Sequence, residues 1–306
     1  SVELSCPMPS LFVALQKIVP QHLLSRIVGR VAESGRFKKP FINWFAARYG
    51  VDMSEAQEQD LLAYDNFNAF FTRALKPNAR PLADGIGDAL PILCPADGAI
   101  SQLGDLTEKG LLQAKGRHYT VADLLASEND AAAFDGGCFA TVYLSPKDYH
   151  RVHMPLAGRL TKMSYAPGDL YSVNQQTAEG VPNLFARNER LVCLFDTELG
   201  PMAVVLVGAM IVAGIETVGA GRVCPGRDRS QVQVTDYTTS VPAIELAAGA
   251  ELGRFYLGST AIVLFGHGAV ELSGGLSAES PVRMGQLLGL AQHTNSAENL
   301  GEQETT

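Results

Sequence analysis

The chain has 306 residues, of which 46% are hydrophobic and 18% are charged, and its formal net charge at pH 7 is −8. This length and apolar content suit one large domain or two modest domains with a buried core. The acidic balance excludes nucleic-acid binding through bulk electrostatics, so we expect no nucleic-acid partner.

The N-terminal segment differs from the rest of the chain in charge and in periodicity. Seven basic and two acidic residues lie within positions 1–48. Apolar residues at helical spacing predict one helix before Pro20, a second after it and a third around Lys39–Tyr49. The pattern is equally typical of a helical cap packed on the body and of an in-plane membrane anchor. We interpret residues 1–60 as an amphipathic, membrane-associating helical segment.

From Pro91 onward the pattern changes to short apolar runs such as "GCFATVYLS" and "TAIVLFG", separated by Gly, Pro, Asn and Asp. Such runs predict β-strands. The fold class we expect is α+β, with a β-rich, sandwich-like or barrel-like body of antiparallel or mixed sheets. We assign residues 61–290 to this catalytic domain and expect the polar residues 291–306 to be a disordered tail.

The five cysteines are scattered and show no CxxC spacing. Such usage is typical of structural thiols in a reducing compartment. The pair His150 and His153, in "SPKDYHRVHMP", has the HxxH form that recurs in zinc sites, but no cysteine or acidic residue lies at ligand spacing nearby. We therefore expect no metal.

Three stretches carry residues that could do chemistry. Asp97 lies in the turn "PADGAI", and His150 and His153 lie in a strand-like stretch, where residues three apart point to opposite faces. Ser259 follows a glycine inside the hydrophobic run "RFYLGSTAIVLFG". A serine with a nearby base is a candidate nucleophile.

Two kinds of reaction fit these residues. In the first, Asp97, His153 and Ser259 form the triad of a membrane-associated serine hydrolase, since such triads recur in any chain order. The sequence lacks the G-x-S-x-G elbow of many hydrolases. In the second, the Ser259 hydroxyl attacks the carbonyl carbon of Gly258, where the missing Cβ allows close approach.

The second reaction would change the chain itself. Attack moves the acyl group from nitrogen to oxygen, and removal of the Ser259 Cα proton then expels the ester and leaves dehydroalanine. Water releases ammonia from that residue and leaves a ketone. The product is a pyruvoyl group at a new N-terminus, an electron sink made without an external cofactor.

Five stretches together resemble the bacterial type of phosphatidylserine decarboxylase, and the likeness covers about residues 10–290. The stretches are "PADGAISQLG", "LSPKDYHRVHMP", "PGDLYSVN", "PNLFARNER" and "GRFYLGST". The resemblance implies a pyruvoyl-dependent lyase that converts phosphatidylserine to phosphatidylethanolamine and CO₂. A non-enzymatic β-rich membrane-binding module, in which Gly-Ser-Thr is only a turn, is a further alternative.

The resemblance also implies roles for individual residues. Ser259 would become the pyruvoyl group, and Gly258 would end the upstream fragment. His153 would be the base that acts on Ser259, and Asp97 would orient and charge-stabilise that imidazole. His150 matches the histidine tied to decarboxylation, and we interpret it as the proton donor to the substrate Cα.

The remaining expectations concern substrate and location. Gly168, Ser172 and Asn174, in "APGDLYSVN", could offer donors to a lipid phosphate, although a plain connecting loop fits equally well. The expected partners are phosphatidylserine in an anionic membrane and the two fragments, 1–258 and 259–306; a homodimer is left open. We expect a peripheral protein on the cytoplasmic face of a bacterial cell membrane.

Overall fold

The structure, a computed structural model, describes residues 21–35, 38–108, 110–114, 116–210, 214–224, 228–256 and 259–292. The helix predicted before Pro20 and the tail beyond residue 292 lie outside the described residues, as do Cys6 and Gly258.

The described residues form short helices and many strands. The α-helices are α1 (Gln21–Glu33), α2 (Lys38–Tyr49), α3 (Phe67–Phe71), α4 (Val121–Leu125), α5 (Glu128–Ala131), α6 (Gln175–Gly180) and α7 (Leu184–Arg187), with a 3-10 turn at Ala132–Phe134. The first nine strands are β1 (Pro91–Leu93), β2 (Gly98–Asp105), β3 (Leu111–Ala114), β4 (Arg117–Tyr119), β5 (Cys138–Leu144), β6 (Arg151–His153), β7 (Gly158–Ala166), β8 (Arg190–Thr197) and β9 (Gly200–Gly208). The other nine are β10 (Gly214–Thr217), β11 (Gly221–Cys224), β12 (Gln233–Asp236), β13 (Glu245–Leu246), β14 (Glu251–Tyr256), β15 (Ser259–Phe265), β16 (Val270–Leu272), β17 (Pro281–Val282) and β18 (Leu287–Ala291).

The largest sheet has nine strands in the order β12-β7-β8-β9-β15-β5-β2-β17, with β13 also paired to β7. Every pairing between strands of the described residues is antiparallel. Within those residues the strand order leaves the sheet open at β12 and β17. The prediction of an α+β fold with a β-rich, antiparallel body is confirmed, and that body is layered rather than a closed barrel.

Strand β15 lies in the middle of this sheet and is buried on both faces. Ala261, Val263 and Phe265 belong to one hydrophobic cluster, whereas Ile262 and Leu264 belong to another. This alternation follows from the two-residue period of a strand. A continuous apolar run, and not an apolar–polar alternation, is the pattern expected of a strand covered on both sides.

Different layers cover the two faces of the sheet. The first cluster includes Ile92 of β1, Leu288 of β18 and Phe255 of β14, which belong to two smaller sheets ordered β1-β18-β16 and β11-β10-β14-β6. The second cluster includes Leu124 and Phe185 from helices α4 and α7. The smaller sheets therefore cover one face, and short helices with the β3–β4 hairpin cover the other.

The N-terminal helices form a separate aromatic cluster. Ala32 of α1, together with Ile42 and Phe45 of α2, is buried against three phenylalanines of α3. On the same helices Leu23 and Trp44 are 53% and 55% exposed. The helices thus provide both a packed cap and an outward apolar surface, so both interpretations of this segment keep their support.

Two further findings bear on the expectations from sequence. Cys94, Cys138, Cys193 and Cys224 are buried free thiols, and burial raises the pKa of Cys94, Cys138 and Cys193 to about 12, which confirms structural thiols at the described positions. None of the helices in the described residues is both long enough and apolar enough to span a bilayer. The domain boundaries at residues 60 and 290 stay a prediction.

Candidate active site

Ser259 is the first residue of strand β15, and its backbone lies between two neighbouring strands. It is opposite Leu144, the last residue of β5, and opposite Gly208, the last residue of β9. Ladder pairing on both sides fixes the backbone at this position. The upstream partner in the expected reaction, Gly258, lies outside the described residues.

Asp97 lies next to this point because of the glycine that follows it. Gly98 has a φ of +154°, and a Cβ on it would lie 2.1 Å from the carbonyl oxygen of Tyr143. Only glycine fits such a close approach. Gly98 and Ser259 therefore flank the end of β5 from opposite sides, roughly 10 Å apart if each strand spacing is about 4.8 Å.

The imidazole of His153 is buried and held at both ring nitrogens. Its backbone N–H donates to the carbonyl oxygen of Pro95 at 2.8 Å, which places it beside the turn that carries Asp97. Nδ1 lies 2.8 Å from the Gly249 carbonyl oxygen, and Nε2 lies 3.1 Å from the Tyr149 hydroxyl. Burial lowers the pKa of His153, and the bond to Gly249 only partly opposes this effect.

His150 has a different environment from His153. Its ring packs on Phe71, with centroids 3.9 Å apart, and is fully buried. Nδ1 lies 2.8 Å from the Asp148 carbonyl oxygen, while Nε2 has no hydrogen-bond partner among the described residues. Burial, helped by the nearby charge of Arg73, lowers the pKa of His150 to about 3.

The Asp97 carboxylate is bound to an arginine rather than to His153. Arg80 donates to it through Nε at 2.9 Å and through Nη2 at 2.5 Å. The backbone N–H of Met284 adds a further bond to Oδ1 at 2.9 Å. Within the described residues neither ring nitrogen of His153 bonds to Asp97, and the orienting role expected of Asp97 stays a prediction.

A cleft of about 680 Å³ opens beside these residues. Its lining includes Arg73, Arg80, Asp97, Tyr143 and Tyr149. Tyr143 is opposite Thr260 in the β5–β15 pair. One lining residue of the cleft thus pairs with the residue that follows Ser259, and the cleft is large enough for a small polar head group.

The three residues expected at the lipid head group have mixed surroundings. The side-chain oxygen of Asn174 caps α6, because it accepts from Thr177 N at 3.0 Å and from Thr177 Oγ1 at 3.0 Å. Gly168 is packed so closely that a Cβ would lie 2.2 Å from the Arg187 carbonyl oxygen. With Ser172 they lie in one loop, and the role of that loop in substrate binding stays a prediction.

Sequence reasoning missed two side chains of this site. Arg80 lies in the loop "PNARPLADG", where nothing local marks an arginine as a partner of Asp97. Tyr149 directly precedes His150 in the histidine motif. Its position four residues before His153 was the sequence signal that could have identified it as a partner of His153. Among the described residues no group of three or more His, Cys, Asp or Glu side chains is placed to hold a metal ion.

Comparison with known proteins identifies the family of this chain. A family model described as phosphatidylserine decarboxylase matches residues 67–290, and a second one, described as PSD, matches residues 11–50. The chain belongs to the phosphatidylserine decarboxylase family. It is therefore an enzyme of the decarboxylase class, as the sequence motifs predicted, and the serine hydrolase alternative is not favoured.

Individual relatives are similar over nearly their whole length. The phosphatidylserine decarboxylase proenzyme of Ectopseudomonas mendocina is 62% identical over 285 residues, which cover 92% of this chain and 98% of the relative. The proenzyme of Pseudomonas aeruginosa strain LESB58 is 60% identical over 287 residues, covering 93% and 98%. That of Pseudomonas putida strain GB-1 is 61% identical over 281 residues, covering 91% and 96%.

Proposed function

We propose that this protein cleaves itself between Gly258 and Ser259 and then decarboxylates phosphatidylserine to phosphatidylethanolamine and CO₂ at a membrane surface. The observation that carries the proposal is the position of Ser259. It begins a central strand, beside the turn of Asp97 and the cleft. The relatives named phosphatidylserine decarboxylase proenzyme support the same substrate and a precursor form.

His153 supplies the base for self-cleavage. A carbonyl oxygen only accepts hydrogen bonds, so the contact with Gly249 requires the proton on Nδ1. Nε2 is then the acceptor nitrogen, and it accepts from the Tyr149 hydroxyl. A serine hydroxyl that took the place of Tyr149 there would lose its proton to Nε2 as it attacked the Gly258 carbonyl carbon.

The residues around position 259 fit a pyruvoyl group made from Ser259. Conversion of residue 259 into a new N-terminal group leaves the pairing of Thr260 through Phe265 with β5 and β9 in place. The same pairing would hold the fragments 1–258 and 259–306 together after the cut. A pyruvoyl group supplies a reactive carbonyl and an electron sink for decarboxylation.

His150 is the residue we assign to proton transfer during turnover. With the proton on Nδ1 directed at the Asp148 carbonyl, Nε2 carries a lone pair and no proton. Before it donates to the substrate Cα, Nε2 must therefore take up a proton. Because burial lowers the pKa of His150 to about 3, this uptake requires the environment of the ring to change when the substrate binds.

A lipid substrate requires the enzyme to work at the bilayer. Leu23 and Trp44 form an exposed apolar surface on α1 and α2, the helices of the basic N-terminal arm. Such a surface suits peripheral attachment to an anionic membrane, which we place on the cytoplasmic face of a bacterial cell. The loop with Gly168, Ser172 and Asn174 remains our assignment for contact with the head group.

The measurement that tests the proposal is the intact mass of the purified protein together with its activity. We expect two fragments, of which the smaller holds the 48 residues from position 259 onward, and CO₂ release from phosphatidylserine vesicles. Ser259→Ala should stay uncut and inactive, while the control Ser277→Ala, at an exposed turn, should be cut and active. An uncut wild-type chain that still decarboxylates phosphatidylserine would overturn the proposal, as would labelling of an intact chain by a serine-hydrolase reagent.

A further inference from the structure

The ion pair between Arg80 and Asp97 is the most completely bonded pair of the cleft. The two groups come from positions 17 residues apart, and both side chains are over nine-tenths buried, with 7% and 9% exposed. Nε of Arg80 contacts both oxygens of Asp97, and Nη2 contacts Oδ2. The guanidinium thus binds the carboxylate in a bidentate manner through two parallel N–H donors. Arginine can provide this geometry, whereas lysine cannot.

We propose that Arg80 is a positioning residue for self-cleavage, which holds the Asp97 carboxylate in place beside His153 and the start of β15. This role of Arg80 rests on the proposed function, because Arg80 is assigned only to the self-cleavage of this chain. It adds a residue to the machinery that neither the motifs nor the names of the relatives point to.

Arg80 is itself held in position by a second acid. Nη2 of Arg80 lies 2.8 Å from Glu55 Oε2, and Nη1 donates to the Ala79 carbonyl oxygen at 2.8 Å. Burial by itself would lower the pKa of Arg80, but the hydrogen bonds to Asp97 and Glu55 outweigh it and raise that pKa. The guanidinium therefore stays charged, and each of its nitrogens has an acceptor.

This arrangement explains how Asp97 can act on His153 without touching it. Burial is the largest effect on the pKa of the His153 imidazole and lowers it; the hydrogen bond to Gly249 and the charge of Glu251 oppose it, and the charge of Asp97 adds a smaller raising effect. Such an effect depends on where the carboxylate is held, because the interaction between charges falls with distance. Without Arg80, the buried Asp97 would lose the cation with which it forms an ion pair among the described residues, and it would turn toward solvent.

The pair also links the active site to the N-terminal part of the chain. Glu55 and Arg80 both precede the first strand of the body, whereas Asp97 lies in the turn directly before β2. Glu55 is bonded in addition to Arg283 at 2.9 Å, near the other end of the sequence. Segments that are distant in sequence thus meet at Asp97, so the position of the carboxylate depends on contacts that form only in the folded chain.

To test the proposal, the chain is synthesised in a cell-free system and sampled over time. Intact-mass measurements then give the rate at which the newly made chain is cleaved. Arg80→Gln should slow cleavage at least about tenfold, since it removes the charge-assisted hydrogen bonds that hold the Asp97 carboxylate. Arg80→Lys keeps the positive charge but loses the two parallel donors of the guanidinium. Its cleavage rate should lie between those of the wild type and Arg80→Gln. The control Arg222→Gln removes a cation that is paired with Glu33 and whose side chain is 42% exposed, and it should cleave at the wild-type rate.

A double variant separates positioning from general damage. If Arg80 acts through Asp97, then Arg80→Gln should add little slowing to a chain that already carries Asp97→Asn. Additive effects of the two changes would overturn the proposal, as would wild-type cleavage by Arg80→Gln. If Arg80→Gln does not fold, Arg80→Lys becomes the test of the proposal. Cleavage of Arg80→Lys at the wild-type rate would then overturn the proposal.

The same series distinguishes this inference from the proposed function. Normal cleavage by Asp97→Asn alone would remove Asp97 from the maturation machinery, and the assigned triad would then be wrong. Slow cleavage by Asp97→Asn with normal cleavage by Arg80→Gln would leave the triad intact and overturn only the role of Arg80.

Discussion

The Tyr149 hydroxyl lies 3.1 Å from His153 Nε2, on the opposite side of a ring whose Nδ1 is directed at a carbonyl oxygen. The two contacts together define one neutral tautomer, with the proton on Nδ1 and the lone pair on Nε2. In the uncut chain the imidazole that we assign as the base thus already has a proton-free Nε2, and the Tyr149 hydroxyl occupies the position that we expect the nucleophile to take.

The first prediction concerns the pH dependence of self-cleavage. Because burial lowers the pKa of His153 below its ordinary value of 6.5, the neutral base should dominate throughout the neutral range. We expect a rate that is nearly constant above about pH 6.5 and falls only at more acidic pH. Timed intact-mass measurements across pH check this, with the exposed His267→Ala as control and His153→Ala as the uncut reference. A half-maximal rate above pH 7 would contradict it.

The second prediction separates maturation from turnover. His150→Ala should still be cut into two fragments, because the His150 ring contacts neither Gly249 nor Tyr149: its Nδ1 bonds the Asp148 carbonyl, and its Nε2 has no partner among the described residues. Its turnover should fall by roughly 10²- to 10⁴-fold, the usual contribution of general acid–base catalysis. Fragment yield and CO₂ release are measured on the same preparation, and excess substrate should not restore the rate. An uncut His150→Ala chain, or a cut and fully active one, would show that the two histidines do not divide the work.

The third prediction is a loss of stability in acid caused by His150. Its pKa is about 3 in the folded chain and has a reference value of 6.5. Between these values only the unfolded chain takes up the proton. The stability that the neutral ring contributes is therefore complete above pH 6.5 and falls by about 1.4 kcal/mol per pH unit as the pH drops toward 3.

Urea unfolding of the uncut Ser259→Ala chain at pH 7 and pH 5 measures this effect. Introducing His150→Gln into that chain should make the loss of unfolding free energy between the two pH values smaller by up to about 2 kcal/mol. The same change at the exposed His267 serves as the control and should leave the loss unchanged. Equal losses with and without His150 would mean that this ring is already protonated in the folded chain at pH 5.

The fourth prediction concerns the apolar surface of the helical arm. Leu23→Ser combined with Trp44→Ser should weaken binding to anionic vesicles at least tenfold, because each side chain transferred from water contributes roughly 1.5–3 kcal/mol. Val241→Ser removes a 97% exposed apolar side chain of the body and should bind like the wild type. Vesicle flotation gives the comparison, and cleavage into two fragments shows that each variant folds. Unchanged flotation of the double variant would leave the helices as a structural cap only.

Much of the fold follows from local sequence patterns. The change from helical to strand-like periodicity near Pro91 correctly separated a helical arm from a β-rich body. Unbroken apolar runs such as the one from Ala261 to Phe265 marked strands buried on both faces. These predictions succeeded because periodicity and burial are properties of neighbouring residues.

The candidate residues for the chemistry were also chosen from sequence, because their motifs are short and continuous, and their roles stay a prediction. "PADG", "DYHRVHMP" and "LGST" named Asp97, His150, His153 and Ser259 together with the family. Their hydrogen-bond partners were not readable. The carbonyl of Gly249 bonds His153 from 96 positions away, and no local pattern reports a contact between such distant segments.

The sequence by itself therefore determined the α+β class, the presence of N-terminal helices and the decarboxylase family, and it supplied the residues to which we assign the reaction. Only the tertiary structure decided that Ser259 starts a central strand between β5 and β9, that Arg80 and not His153 bonds the Asp97 carboxylate, and that His150 is buried against Phe71. The physical reason is that strand order and buried ion pairs depend on which distant segments share a core. That choice is made by the packing of the whole chain and not by the residues on either side of a motif.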